Sequence, residues 1–281
     1  TMENTRAKTT RNSLILLLTA TIWGMAFVSQ SKGMDYMHPF TFNGVRSLIG
    51  AAGILVYILI SRKIAGDKAA KLDWKLNVRA GLLCGIFLTI ASTLQQFGIK
   101  YTSVGKAGFI TTLYIIFVPM FGIFLKKKVA PVVWAAAGMA AVGMYLLCMT
   151  ESLRLGAGDI MVFLCAIAFA IQIMTVDHYA ARIDGAVVSC IQFTVCGVVC
   201  CIGALIWGQP TFGQIQEGLG ALLYAGVLSC GVGYTLQIVG QKGLNPTVAA
   251  LIMSLESVIA TISGWIAYKI GFLSTDQTLT P

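Results

Sequence analysis

The chain is 281 residues long, 57% hydrophobic and only 11% charged, with a mean hydropathy of +0.82. Soluble domains carry about 25% charged residues, so this composition excludes a water-soluble globular protein and makes lipid the solvent. A net charge of +9 would point to nucleic acid in a soluble chain. In a membrane protein, basic residues collect on the cytoplasmic side instead, and no nucleic-acid partner is expected.

A bilayer core takes about 20 apolar residues per helix. Nine runs meet that requirement, at about 13–32, 40–61, 77–99, 104–125, 129–149, 158–177, 186–207, 219–240 and 247–268. Runs this long and uniformly apolar mean an all-α membrane protein, not a barrel, and their short connections make neighbours antiparallel. The first run lacks a small-residue cleavage site and reads as the first span, not as a signal peptide. It follows a polar tail at 1–12, in which Thr1 ahead of Met2 looks like an expression remnant. The eight cysteines (among them Cys84, Cys148, Cys165 and Cys230) fall inside apolar runs with no C-x-x-C. They read as small packing residues, not as disulfides or metal ligands.

Orientation follows from Lys and Arg. With the N-terminus inside, the cytoplasmic segments hold fourteen basic residues: three in the tail from Arg6 to Arg11, six from Arg62 to Arg79, Lys126 to Lys128, Arg182 and Lys242. The other side holds five, namely Lys32, Lys100, Lys106, Arg154 and Lys269, and Arg46 lies within a span. The bias places the N-terminus in the cytoplasm of a multi-pass protein of the cell membrane, in a bacterium the inner membrane.

The third run carries Thr93-Leu94-Gln95-Gln96-Phe97-Gly98-Ile99-Lys100, and the eighth carries Thr235-Leu236-Gln237-Ile238-Val239-Gly240-Gln241-Lys242. Thr, Leu, Gln, Gly and Lys recur at one offset, 235 − 93 = 142, which also pairs Ala107 with Ala249 and Leu113 with Leu255. This is an internal repeat. Five helices, an odd number, separate the two copies, so the halves have inverted topology. The units are 13–150 with five helices and 157–268 with four, followed by a polar connector at 269–281 leading to an absent tenth helix. Inverted repeats mark secondary transporters, with the substrate site near midplane between the halves. Asn245-Pro246 supplies an N-cap and an N1 proline for the ninth run, with Ser103 at the matching point of the fourth. Gly81 with Gly85, and Ala260 with Gly264, let helices approach closely.

Polar side chains inside spans are costly, about 2.5–3.5 kcal/mol for ionisable ones at a helix centre. Glu256 lies about ten residues into the ninth run and is expected to face the interior. There it either couples a proton, binds a substrate amine or holds neighbouring helices by hydrogen bonds. Arg46, one to two turns into the second run, is expected to snorkel or take a structural partner, with contact to a substrate carboxylate as the alternative. Lys106 opens the fourth run and is a candidate for coupling or gating. The third run puts Thr89, Thr93, Gln96 and Lys100 on one stripe; the eighth does so with Ser229, Gly233, Gln237 and Gln241. The first run adds Trp23, Phe27 and Gln30, the sixth Phe169, Gln172, Val176 and Tyr179. Lipid cannot satisfy such stripes, so they either converge on a hydrated cavity or glue helices together. Candidate substrate contacts are Trp23, Gln30, Gln96, Tyr114, Gln172, Tyr234 and Gln237, the aromatic ones by stacking on an apolar ligand part. His38 and His178 lie near opposite faces, and Asp177, His178 and Arg182 read as loop electrostatics. No H-E-x-x-H, G-x-S-x-G or Walker A sequence occurs and no acidic cluster suits a metal. The chain is therefore expected to have no catalytic residues, metal or cofactor.

Trp23-Gly24, Tyr101-Thr102-Ser103-Val104-Gly105-Lys106-Ala107 and Ser254-Leu255-Glu256-Ser257-Val258, with the inverted duplication, resemble the EamA-type permeases of the drug/metabolite transporter superfamily. The resemblance covers essentially the whole chain. It implies ten helices, cytoplasmic termini, a central cavity lined from both halves, and transport of amino acids, other metabolites or drugs, often outward. Ser257 stands where that family usually has proline, so no proline enforces a kink there. The resulting expectation is a secondary transporter of a small amphipathic metabolite, an amino acid being the best guess, by alternating access with a coupling proton possible. A membrane ligand-binding protein or receptor using the same cavity is the alternative. Substrate identity, coupling ion and oligomeric state are not encoded legibly.

Overall fold

A computed structural model of the chain describes residues 2–66, 72–125, 131–150 and 156–274. Lys68, Lys71, Lys126 to Lys128, Arg154 and the 275–281 part of the connector lie outside the described residues, as do the side chains of Arg6 and Cys148. Among the described residues, nine long helices follow in order: α1 (Met2–Gly33), α2 (Pro39–Ala65), α3 (Trp74–Ile99), α4 (Val104–Phe124), α5 (Pro131–Thr150), α6 (Ala157–Tyr179), α7 (Gly185–Gly208), α8 (Leu219–Gln241) and α9 (Pro246–Lys269). A short helix, Phe212–Glu217, joins α7 to α8. Eight of the nine are long and apolar enough to cross a bilayer, and α5 fills the remaining run with a 20-residue helix. The protein is a multi-pass membrane protein. Helix α1 begins at Met2, so the segment expected as a separate tail continues the first helix.

Side-chain caps set several helix starts by satisfying otherwise orphaned N–H groups. Asp73 accepts from the Leu76 N–H at 3.0 Å, and Asp184 from the Ala186 N–H at 3.0 Å. Ser103 accepts from the Lys106 N–H at 3.3 Å and Asn245 from the Thr247 N–H at 2.9 Å, with Pro246 at the first helical position.

Two spans are broken. Helix α4 consists of Val104–Thr111 and Tyr114–Phe124, and α9 of Pro246–Met253 and Glu256–Lys269. The breaks are 142 residues apart and share one chemistry. The Thr112 hydroxyl donates to the Phe109 carbonyl at 2.8 Å, and the Ser254 hydroxyl to the Leu251 carbonyl at 2.8 Å. Such back-bonding competes with the helical ladder. The following amides bond three residues back instead of four, Leu113 to Ile110 and Leu255 to Ile252, which tightens the turn. Helix α9 therefore breaks with serine, not proline, at position 257.

Packing is antiparallel between α4 and α9. A Cβ on Gly108 would lie 2.7 Å from Ala260 Cβ, and one on Gly105 would lie 3.2 Å from the Thr261 hydroxyl. As the α4 number rises, the α9 number falls, and the crossing centres on both breaks. Helix α3 packs on α6 and α7, while α8 packs on α1 and α2. Gly81 and Gly85 receive Ile191 and Val195 of α7. The outward faces carry large apolar side chains such as Leu55, Leu59, Ile86 and Ile262, as a lipid-facing surface requires. The seven described cysteines are unpaired.

Candidate functional site

Where the breaks of α4 and α9 cross, eight helices enclose a small central cavity of about 30 Å³, room for roughly one water. Two ionisable side chains border it. Glu256, 3% exposed, opens the second half of α9 and accepts a hydrogen bond at 3.0 Å from the hydroxyl of Tyr114, which opens the second half of α4. Arg46, 5% exposed, projects from α2 with its guanidinium carbon 5.4 Å from the Phe42 ring centre. Its Nε has no hydrogen-bond partner, and among the described residues Arg46 joins no ion pair. A buried cation is costly without a counter-charge.

Amides and aromatic rings complete the wall. Gln237 donates to the Gln172 side-chain oxygen at 3.1 Å, and Gln95 donates to the Thr111 hydroxyl at 3.2 Å. The side-chain oxygens of Gln30 and Gln237 and the indole N–H of Trp23 are buried without partners. Tyr234 is held between Trp23 at 4.5 Å and Phe193 at 5.0 Å, centre to centre.

The wall has an internal order. Six pairs of lining residues stand 142 positions apart: Phe27 with Phe169, Gln30 with Gln172, Gln95 with Gln237, Leu88 with Cys230, Ser92 with Tyr234, and Tyr114 with Glu256. One of these pairs, Tyr114 and Glu256, is directly bonded.

The family model for EamA-like transporters matches this chain twice, over residues 11–149 and again over 156–276. The chain belongs to the EamA-like transporter family. It is similar to transporters of unassigned substrate in three organisms. The similarity is 24% identity to one of Clostridium kluyveri, covering 89% of this chain and 83% of that protein. It is 27% to one of Bacillus subtilis, covering 90% and 84%. It is 30% to one of Archaeoglobus fulgidus, over 59% of this chain and 48% of that protein, so the match spans about half the archaeal relative. A solved crystal structure at 17% identity superposes with a TM-score of 0.69 over 95% of this chain and 90% of that one, a likeness of fold alone.

In this member of the EamA-like family, Trp23, Gln30, Arg46, Tyr114, Gln172, Tyr234, Gln237 and Glu256 all border the cavity. Two expected site residues do not. Gln96 is fully buried but donates to the Gln30 backbone carbonyl at 3.1 Å, and its neighbour Gln95 takes the cavity position. The face of α3 that reaches the centre is Leu88, Ser92 and Gln95, one residue and about 100° from the stripe through Thr89, Thr93 and Gln96. The repeat itself held the signal, since Gln95, not Gln96, matches Gln237. Lys106 lies away from the cavity, bonded at 2.8 Å to Asp159 at the start of α6, with both side chains under a tenth exposed. Sequence reasoning also passed over Asp159, whose carboxylate further accepts from the Thr102 hydroxyl at 2.8 Å and the Gly156 N–H at 2.9 Å. Arg46 borders the cavity instead of snorkelling.

A second, larger cavity of about 610 Å³ opens at the end of the bundle that holds the chain start. It lies between the end of α2, the start of α3, the α6–α7 loop and the end of α8, with Ser61, Arg62, Arg182, Asp184, Thr235 and Val239 on its wall. Ala51, Ile54, Phe193 and Tyr234 pack together in the core, at positions on α2, α7 and α8 between this vestibule and the central cavity.

Proposed function

We propose that this protein is a secondary transporter that carries a small amphipathic metabolite, an amino acid or close relative, outward across the membrane by alternating access. In this reading residues 13–150 and 157–268 are two units of one five-helix plan inserted with opposite orientation. The N-terminus lies in the cytoplasm of a bacterial cell membrane. The observation that carries it is the central cavity: six residue pairs at one constant offset meet there around a buried arginine and a buried glutamate. The twofold match of the family model and the antiparallel crossing of α4 with α9 support the same plan.

The chemistry of the wall favours a zwitterion. Arg46 offers an unpaired guanidinium to a carboxylate. Glu256 offers a carboxylate, held by one tyrosine hydroxyl, to an amine or to a coupling proton. Broken helices present half-helix N-termini at such sites, and Trp23, Phe193 and Tyr234 suit an apolar or aromatic ligand part. A cavity of about 30 Å³ admits no amino acid, so the described form is closed around its centre, and binding requires the helices to part.

The test is counterflow in proteoliposomes with a panel of radiolabelled amino acids. Saturable uptake that Arg46→Met and Glu256→Gln abolish is the expected result. Ligand binding by thermal shift without counterflow would assign the cavity to a receptor instead, and no response to any amino acid ends the substrate assignment.

A further inference from the structure

The repeat relates the two ends of the bundle as well as the centre, at an offset of 142 for Phe97 of α3 against Val239 of α8 and of 146 for α2 against α7, whose first helical residues are Pro39 and Gly185. The ends carry different side chains at matching positions. Around the vestibule stand Ser61, Asp184, Ala186 and Val239. Their counterparts at the opposite end are Trp207, His38, Phe40 and Phe97. There the space is filled. Phe40 meets Phe97 edge-on at 5.1 Å and stacks on Trp207 at 5.6 Å, and His38 meets Phe97 edge-on at 5.5 Å.

Backbone packing follows the same division. A Cβ on Gly203 would lie 2.9 Å from the Phe40 ring, and one on Gly208 would lie 2.9 Å from the Thr41 hydroxyl and 3.3 Å from His38. The filled end also holds the buried Lys106–Asp159 pair at 2.8 Å, which ties α4 to α6. Its counterparts at the vestibule end are Val248 and Leu17, 43% and 40% exposed, two aliphatic side chains that can form no such tie.

We propose that His38, Phe40, Phe97 and Trp207 form an aromatic gate, bolted by Lys106 and Asp159, which makes the form closed at this end and open at the vestibule the resting state. The inference rests on the inverted-repeat, alternating-access reading above. Two inverted units with identical side chains would favour neither end. Here one end gains ring contacts between helices and a desolvated ion pair; among the described residues the other holds the half-exposed Arg62–Asp184 pair at 3.8 Å and a ring contact between the neighbours His178 and Tyr179. Opening the gated end must separate Phe40 of α2 from Phe97 of α3 and from Trp207 of α7, and Lys106 from Asp159. The bias is therefore written in side chains that a transport cycle has to part.

Matched reporters test this in the purified full chain. Thr93→Cys sits behind the aromatic gate, and Thr235→Cys is its counterpart in the vestibule. Each is reduced beforehand and timed against a water-soluble maleimide, with the parent chain and its native cysteines as background. Without further change, Thr235→Cys is expected to react on the order of tenfold faster. Adding Phe97→Val and Trp207→Ser, which place the vestibule residues at the gated end, is expected to speed Thr93→Cys by about tenfold and to slow Thr235→Cys. The converse pair, Val239→Phe with Ser61→Trp, is expected to slow Thr235→Cys and serves if the first pair does not fold by its melting curve. Unchanged reporter rates in the folded variants overturn the gate while leaving the transporter reading intact. A faster Thr93→Cys with an unaltered Thr235→Cys confirms a gate but overturns alternating access, because the two ends then open independently.

Discussion

Asp159→Ala is expected to be among the most damaging single changes outside the central cavity. The carboxylate serves three donors: the Lys106 ammonium at 2.8 Å, the Thr102 hydroxyl at 2.8 Å and the Gly156 N–H at 2.9 Å. Lys106 and Asp159 are 8% and 4% exposed, so water does not replace what is lost. Removing one member of a buried ion pair leaves an uncompensated charge and typically costs about 3–5 kcal/mol. At about 2–4 °C per kcal/mol for a chain of roughly this size, the melting temperature in detergent should fall by roughly 6–20 °C. The free thiols of the buried cysteines make a thiol-reactive dye a convenient reporter of unfolding. The control is the double variant Lys106→Met with Asp159→Leu, which removes both charges and keeps the volume. Apolar replacement of a whole buried pair is often neutral, so the double variant should melt well above Asp159→Ala. A drop of less than about 1 kcal/mol for Asp159→Ala, the range of exposed pairs, would refute the claim that this pair is a desolvated bolt.

Gly108→Ala places a methyl 2.7 Å from Ala260 Cβ and should cost about 1–3 kcal/mol by overpacking; adding Ala260→Gly should restore most of the loss in the same melting assay. Gln95→Ala is expected to weaken substrate binding in isothermal titration, while Gln96→Ala, whose amide bonds the Gln30 carbonyl, should lower thermal stability by about 1 kcal/mol and leave affinity nearly unchanged. Tyr114→Phe removes the described hydrogen bond to Glu256 and should cost about 0.6–1.7 kcal/mol, the range for interhelical bonds in membranes, read by denaturant titration. Loss of more than that would mean that Tyr114 also holds the α4–α9 crossing by packing.

Sequence alone determined the class and the apolar spans, because lipid leaves so few solutions. Backbone groups in hydrocarbon must bond within their own helix, so apolar run length maps almost directly onto α1 to α9, with ends displaced by a few residues. The caps at Ser103 and Asn245 were equally legible, since capping is a local matter of one side chain and the next turn. Tertiary structure decided which polar residues meet. A one-residue rotation of α3 exchanged Gln96 for Gln95, because small residues and a ring surface from other helices choose which face turns inward. The breaks at Thr112–Leu113 and Ser254–Leu255 had no proline or glycine to announce them; a hydroxyl bonded back to its own helix makes each. The closing of Asp159 on Lys106 joins residues 53 positions apart, and the cavity that Arg46 borders is built from helices other than its own; only packing creates either proximity. The constant offset of 142 was present in the chain throughout, but that it pairs Tyr114 with Glu256 in one hydrogen bond follows only once α4 and α9 cross at their breaks.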